Sequence, residues 1–377
     1  MTKYSSKNIL IVNGAHGILG GAEFYSLTLY KNLVKNGHNV KFLVAKNSGL
    51  AQRLKNEGIP YYTYKKIIIF KNQFQPGLYR AIYKICKQNS IQIIHCNIHR
   101  EVKPAKKVAK KLPVKVVMTR HIPQKLKSKY LQNLDGTICV SPQIKEYFEN
   151  KNETEKLRIK EITFIPPFFN EKKFLEFSTK QSKQEFFKQE FEIKTKNLPI
   201  LCTIAHLNKN KNHKILLHAL YELIYKKNKP VQLMLAGDGP LKKDLLDLAI
   251  NLKIQDYVHF LGFTDKTVEL LYHSDIKILP SKQEGMPIVL LEAATLKKPI
   301  IGADTANLSS IVINEKTGLL FEQNNINSLV EKIEKLIDDP ELIKSYGQEA
   351  QSLVLQNYST QTSTNKLELF YKKILEK

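Results

Sequence analysis

The sequence predicts an α/β protein of two domains, each a parallel sheet with helices on both faces. Three observations carry that expectation. A chain of 377 residues is long enough for two domains of ordinary size, each with its own core. The opening run NILIVNG, a glycine-containing loop, the helical stretch FYSLTLYKNLVKNG and a second apolar run, HNVKFLVAK, make a βαβ unit, which specifies parallel strands. The same alternation restarts with PILCTIAHL, a polar loop, a helical KILLHAL and the strand of VQLMLAGDGP.

Composition narrows the class. Hydrophobic residues make up 42% and charged residues 25% of the chain, as in soluble globular proteins. The N-terminus lacks the basic, long apolar and small-residue pattern of a signal peptide, and the runs ILIV, IIIF and PIVLLEAA fall short of the ~18 residues a membrane span needs. The expectation is a cytoplasmic protein that spans nothing. Cys86, Cys96, Cys139 and Cys202 have no CxxC or metal-ligand spacing, so they are expected as reduced core residues. The net charge of +24 is uneven: residues 1–170 carry 30 Lys and Arg against 9 Asp and Glu. Between Val102 and Leu134 there are ten basic residues and no acidic one. Such a surface attracts an anionic partner. The run lacks the aromatic interleaving and motifs of nucleic-acid binding, so no nucleic acid is expected; an anionic membrane face or a phosphate-bearing acceptor fits.

In the first helix, Leu27, Leu29, Leu33 and Val34 suit one buried face and Gly37 ends it. The preceding loop contains Gly14, Gly17 and Gly20, spaced like a dinucleotide fingerprint, and Tyr147 with Lys151 completes a dehydrogenase-like pattern. Tyr61 with Lys65, Tyr62 with Lys66 and Tyr83 with Lys87 repeat that pair by chance, and VAKN offers no acid for an adenine ribose. Strands follow in YYTYKKI, in IQIIHCN with His95 and Asn97 at its end, in KVVMTRH with Arg120 and His121 at its end, in TICVS, and in ITFIPPFF. Residues 175–197 are polar, with Phe186, Phe187 and Phe191, and read as a connection. After PILCTIAHL come His206, Lys209 and Lys211. VQLMLAGDGP places Gly237, Asp238 and Gly239 before a helix, an anion site in principle. VHFLGFT, PIIGADT and SIVINEKTGLLFE are further strands, and the chain from Asn325 onward is helical.

The most informative stretch is PSKQEGMPIVLLEAATLKKP, Pro280–Pro299. The strand DIKILP precedes it, Glu284 lies in a loop at that strand's carboxyl end, and a helix beginning after Pro287 carries Glu292 eight residues on. Backbone N–H groups between the two glutamates, at a helix N-terminus, face an anion.

This segment resembles the E-G-x-P loop and second glutamate of glycosyltransferase family 4, and the resemblance extends over nearly the whole chain. Gly20, Gly21, Ala22 and Glu23 match the family's G-G-A-E loop, and Lys211 its diphosphate lysine. His206 stands in place of the family's arginine and Ala205 in place of its glycine; a neutral histidine still donates a hydrogen bond but lacks the permanent charge and planar fork of arginine. Gly237 to Pro240 match the L-x-G-x-G-P element, and Phe263 and Thr264 stand where related enzymes cradle the nucleotide base. Asp304 to Ser310 replace the family's usual Gly-Gly and later glutamate, which leaves the sugar open.

The resemblance implies the GT-B fold, two Rossmann-like doubly wound domains facing across a cleft. The boundaries expected are 1–174 for the acceptor domain, 175–197 for a linker, 198–355 for the nucleotide-sugar domain and 356–377 for a helix crossing back to the first domain. It implies a retaining, metal-independent transfer with no cofactor beyond the nucleotide-sugar co-substrate. The acceptor implied is an anionic glycan or lipid-linked molecule of cell-envelope assembly, met at the membrane's inner face. Glu284, Lys211 and His121 would form the catalytic group. Gly20, Gly21, Glu23, His95, Arg120, His206, Gly237, Gly285, Met286, Pro287, Ile288, Val289 and Glu292 would contact substrates. The alternatives are a nucleotide-sugar epimerase of the same fold, a dehydrogenase, and a non-catalytic protein binding anionic membranes or nucleic acid.

Overall fold

The computed structural model describes residues 5–15, 20–65, 76–122, 130–305 and 308–377. The chain forms two units, Met1–Phe169 with Thr360–Lys377, and Asn170–Ser359. Gly17, Ala306 and Asn307 lie outside the described residues, as does the YYTYKKI run beyond Lys65.

Among the described residues the first unit holds seven strands: β1 (Asn8–Asn13), β2 (Asn39–Ala45), β3 (Tyr62–Tyr64), β4 (Ile93–Cys96), β5 (Lys115–Arg120), β6 (Gly136–Cys139) and β7 (Ile162–Phe164). They lie in the order β3-β2-β1-β4-β5-β6-β7, and every pairing is parallel, as in the register of Ile9 with Val40 and with Ile93. The sequence reads as unbroken apolar runs, Ile9 to Val12 and Phe42 to Ala45, because helices cover both faces of a parallel sheet and every residue of such a strand is buried. The helices between strands include α1 (Gly21–Lys35), α2 (Gly49–Asn56), α3 (Pro76–Gln88), α4 (His99–Ala109) and α5 (Pro142–Thr154).

The second unit repeats the arrangement. It begins with α6 (Glu171–Leu175) and α7 (Lys183–Phe191), and its strands are β8 (Ile200–Ile204), β9 (Gln232–Ala236), β10 (Val258–Gly262), β11 (Ile276–Leu279), β12 (Ile300–Ala303) and β13 (Gly318–Phe321). Their order is β10-β9-β8-β11-β12-β13, again parallel throughout. One face is covered by α8 (His213–Tyr221), α9 (Lys242–Asn251) and α12 (Ile326–Ile337), whose Leu217, Leu220, Leu245 and Ile333 meet Ile276 and Ile278. On the other face Phe186 and Phe187 of α7 join Cys202, Met234 and Ala293. Residues 183–191 thus belong to this unit's core, and Lys183 holds the Asp275 carboxylate at 2.9 Å. Helices α10 (Thr267–His273), α11 (Ile288–Thr295) and α13 (Pro340–Asn357) complete it. All four cysteines are buried and none forms a disulfide.

The last helix, α14 (Thr360–Glu376), packs on the first unit through polar as well as apolar contacts. The Tyr371 hydroxyl bonds to His95 Nδ1 at 2.6 Å, and Asn32 Nδ2 donates to the Thr364 hydroxyl at 2.9 Å. Phe370 and Ile374 lie so close to Gly136 that a Cβ there would come within 2.5 Å of the Phe370 ring. At the centre, Glu368 is buried between Lys7 Nζ, 3.0 Å away, and His38 Nε2, 2.5 Å away. Burial pushes the Glu368 carboxyl up, but the bonds from His38 and Lys7 outweigh it and hold the group below its ordinary 4.5.

A carboxyl depressed in the fold adds stability above its ordinary range and loses it as the pH falls through the folded value. Glu368→Gln, which leaves Lys7 and His38 without their shared anion, is expected to cost about 3–5 kcal/mol at neutral pH. The gap to wild type should narrow below 4.5. Urea midpoints across pH check this; equal midpoints at neutral pH, or a gap that persists in acid, would show that the triad does not anchor α14.

Candidate active site

In the second sheet the strand order reverses between β8 and β11, which are hydrogen-bonded neighbours. Connections from these two strands leave toward opposite faces, so a crevice opens beyond their carboxyl ends. The two loops that border it are residues 205–212 and 280–287. In the first, the Asn208 side chain accepts from Asn210 N at 3.0 Å and Lys211 N at 3.2 Å, winding the chain into a short turn that aims Lys211. Two bonds tie this loop to the other: Lys282 N donates to the Asn210 carbonyl at 2.8 Å, and Asn210 Nδ2 donates to the Gln283 carbonyl at 2.8 Å. Gln323 Nε2 braces Lys282 from beyond β13, at 2.8 Å. Held this way, Lys211 Nζ lies 2.5 Å from Glu284 Oε1, with side-chain exposures of 22% and 10%, so the pair is reachable yet largely desolvated.

Gly237 and Gly239 bring the end of β9 against the β8 loop. Gly237 sits at φ +133, and a Cβ on it would stand 2.1 Å from the Ala205 carbonyl oxygen. His206 is exposed, and its Nδ1 bonds to the Asp238 carbonyl. A carbonyl only accepts, so Nδ1 carries the proton. In the neutral ring Nε2 is then a bare acceptor. The one hydrogen bond a neutral His206 donates thus goes to the Asp238 carbonyl, and only an imidazolium could donate through Nε2 as well.

Gly285, Met286 and Pro287 are buried, and Ile288 and Val289 half-buried, at the N-terminus of α11. Glu292 lies one turn further along and is half-buried. Burial pushes its carboxyl up to about 7, with Lys173 of α6 and Lys277 of β11 pulling the other way. Among the described residues no three His, Cys, Asp or Glu side chains group as metal ligands do.

The first unit gathers its residues at the carboxyl ends of β1 and β5. Gly20 and Gly21 lead into α1, and the Glu23 carboxylate caps that helix by accepting from Gly20 N at 2.8 Å. His121 sits edge-on to Tyr25, ring centroids 4.8 Å apart. Its Nε2 is buried without a hydrogen-bond partner among the described residues. Burial, with Arg120 adjacent, lowers its pKa to about 3, so it is neutral at physiological pH. Arg120 is buried, lies over the Phe148 ring at 5.4 Å and donates to the Ile122 carbonyl at 3.1 Å. His95 lies behind this group, joined to it through the Thr119 hydroxyl, which is 3.5 Å from the Tyr25 hydroxyl. It is 0% exposed, and its two nitrogens bond to Tyr371 and Thr119 at 2.6 Å each.

Three features escaped the sequence reading. Glu101 is buried and accepts from Gly14 N, from Asn97 N at 2.8 Å and from Ile98 N at 3.0 Å; its position in the first turn of α4 was the available signal. Burial pushes its carboxyl up to about 8 against those three donors. The alternating asparagines of NKNKN were a second signal, for a side-chain-capped turn. The third was a charged residue, Lys277, inside a strand flanked by isoleucines.

Two family descriptions match the chain: "Glycosyl transferases group 1" over residues 183–353 and "Glycosyltransferase Family 4" over residues 19–172. The N-acetyl-alpha-D-glucosaminyl L-malate synthase of Bacillus anthracis is 26% identical over 381 residues, 95% of each chain. A glycosyltransferase from Rickettsia africae ESF-5 superimposes with a TM-score of 0.84 at 22% identity, covering 99% of both chains. Anabaena Alr3699/HepE, in complex with UDP and glucose, does so with a TM-score of 0.81 at 17% identity, covering 97% of this chain and 99% of that one. The architecture these neighbours share is GT-B.

The approach of the β8 and β9 loops makes a local prediction. Gly237→Ala forces both a strained φ and a clash with the Ala205 carbonyl, and should destabilise the protein by more than about 1 kcal/mol. A melting temperature equal to wild type would mean that the two loops separate freely and do not form a fixed floor.

Proposed function

The chain belongs to glycosyltransferase family 4, the group 1 glycosyl transferases, and from that membership we propose that it moves a sugar from a nucleotide-sugar donor to a glycan or lipid-linked acceptor. The transfer retains configuration, requires no metal ion, and serves assembly of a cell-surface polysaccharide or lipopolysaccharide. The observation that carries the donor half is the Lys211–Glu284 pair at 2.5 Å in the crevice where the strand order reverses. A lysine ammonium there meets the diphosphate, and the neighbouring carboxylate meets the sugar hydroxyls. UDP and UDP-glucose are held by the Anabaena neighbour of the same fold, which supports a nucleoside diphosphate sugar as the donor class.

The chemistry proposed is electrostatic and positional. The bond from the anomeric carbon to the diphosphate oxygen breaks while the acceptor hydroxyl oxygen bonds to that carbon on the same face, and the leaving diphosphate takes the acceptor's proton. Lys211 and the N–H groups at the start of α11 stabilise the charge that grows on the leaving oxygen, and His206 adds to them when protonated. Glu284, released from Lys211 as phosphate arrives, orients the sugar; Glu292 accepts from the ribose hydroxyls. No protein base is assigned. On the first unit Gly20, Gly21, Glu23, Arg120 and His121 keep the substrate-side roles the family resemblance gives them, and His95 has a packing role.

The acceptor assignment rests on charge. In residues 1–170, 30 basic side chains face 9 acidic ones, an excess that favours an anionic acceptor and peripheral contact with the anionic inner face of the cytoplasmic membrane. No described helix is long and apolar enough to cross a membrane.

A thermal-shift screen of UDP-, GDP- and ADP-sugars identifies the donor, because a ligand that binds only the folded state raises the melting temperature. With that donor, Glu284→Ala and Lys211→Ala should each lose roughly a hundredfold or more in transfer rate while their circular dichroism stays that of wild type. Full turnover in both variants would remove the active-site assignment.

A further inference from the structure

A column of buried hydrogen-bonding groups stands behind His121. The register of β4 with β5 pairs His95 with Val117, and side chains alternate along a strand, so His95 and Thr119 share one face of the sheet. There His95 Nδ1 bonds to the Tyr371 hydroxyl of α14 and His95 Nε2 to the Thr119 hydroxyl, at 2.6 Å each. The Thr119 hydroxyl stands 3.5 Å from that of Tyr25 in α1, and the Tyr25 ring meets His121 edge-on, with centroids 4.8 Å apart. Tyr371, His95, Thr119 and Tyr25 are all buried. Apolar side chains would fill this place with no hydrogen bonds to satisfy, whereas a satisfied polar network fixes its members in one arrangement.

The members of the column depend on one another. Burial lowers the His95 pKa to about 3, with His121 adding to the effect, so the ring is neutral. One of its nitrogens then donates and the other accepts, which ties the direction of the bond at Tyr371 to that of the bond at Thr119. Tyr371 is itself held in place. It lies three residues after Glu368, one turn along α14, and Glu368 bonds to Lys7 and His38. At the other end, His121 Nε2 is buried with no hydrogen-bond partner among the described residues, so what the ring packs against decides how it points. Thr119 bears on it by two routes: through the Tyr25 ring, and along the backbone, because His121 follows Thr119 by two residues at the end of β5.

We infer that Tyr371, His95 and Thr119 are positioning residues, which hold the end of β5 and the Tyr25 ring so that the His121 imidazole keeps the orientation in which it meets substrate. This rests on the reading of His121 as a substrate-side group. Tyr371, His95 and Thr119 touch no substrate and act only through His121. The last helix then serves the site as well as the fold, since α14 supplies the hydroxyl at the far end of the column.

The test compares Tyr371→Phe and Thr119→Val, which each remove one hydroxyl with little change of shape, with Thr119→Ser, which keeps it. In protein labelled with carbon-13 at histidine, the His121 ring resonances are identified by their loss in His121→Ala. They should move in Tyr371→Phe and Thr119→Val, because the adjacent Tyr25 ring sets part of the ring-current field they sense, and stay at the wild-type position in Thr119→Ser. Turnover is read as nucleoside diphosphate released, with water as acceptor, from the UDP-, GDP- or ADP-sugar that stabilises wild type most. In Tyr371→Phe and Thr119→Val kcat should fall about tenfold or more. KM for the donor should not change, since Lys211 and Glu284 of the second unit hold it, and Thr119→Ser should keep the wild-type kcat. In the His121→Ala background neither hydroxyl deletion should lower kcat further. An unmoved His121 signal, an unchanged kcat, or a loss of the same size in both backgrounds overturns the inference alone. Full turnover in His121→Ala overturns the reading of His121, and the inference falls with it.

Discussion

The structure of the second unit depends on one adjacency, that of β8 and β11. These strands pair although 71 residues and two other strands lie between the end of β8 at Ile204 and the start of β11 at Ile276, with Leu201 in register with Ile276. Their pairing puts two loops side by side that have nothing to do with each other in sequence. Three backbone-directed bonds from Asn210, Lys282 and Gln323 then convert proximity into register. The Lys211–Glu284 pair is the product. An exposed ion pair of long side chains adds little stability, but here both partners are largely desolvated and their backbones fixed. The pair preserves an ordered cation and an ordered anion at the spot where a charged ligand would divide them.

The first unit has the same reversal, between β1 and β4, and uses it differently. There the N–H groups of Gly14, Asn97 and Ile98 converge as an anion-binding loop would, but they converge on the protein's own Glu101 carboxyl. The position a cofactor pyrophosphate would take is filled from within, and a Cβ on Gly14 would meet the Tyr64 hydroxyl at 2.4 Å. Gly14, the first glycine of the spacing that imitates a dinucleotide fingerprint, is thus held against Glu101 and Tyr64. Two sheets of one topology therefore differ at the point where the strand order reverses: one places a buried carboxyl on the converging N–H groups, the other a partly exposed Lys211–Glu284 pair.

What the sequence made legible was local. Strand and helix periodicity, the glycine turns and the E-G-x-P loop are all set within ten residues or so, and the parallel α/β plan follows from their order. What stayed hidden was set by distant partners. His95 looks like a ligand at a strand end until Tyr371, 276 residues away, takes its Nδ1. Residues 175–197 look like a connection until Phe186 and Phe187 are seen inside the second core. Lys277 is the opposite case: the letter was visible in DIKILP, and the apolar residues around it drew the eye to the strand and away from the charge.

The substitution of histidine for arginine at position 206 gains meaning from the same geometry. An arginine could donate to the Asp238 carbonyl and to a phosphate at once, since its guanidinium carries five N–H bonds. His206 gives its Nδ1 proton to that carbonyl and can reach an anion with its second nitrogen only after taking up another proton. If the crevice takes a diphosphate as proposed, Lys211 is its one permanent side-chain cation, and the neutral histidine at 206 spends its single ring proton on holding the β8 and β9 loops together instead of on the ligand, where an arginine could do both.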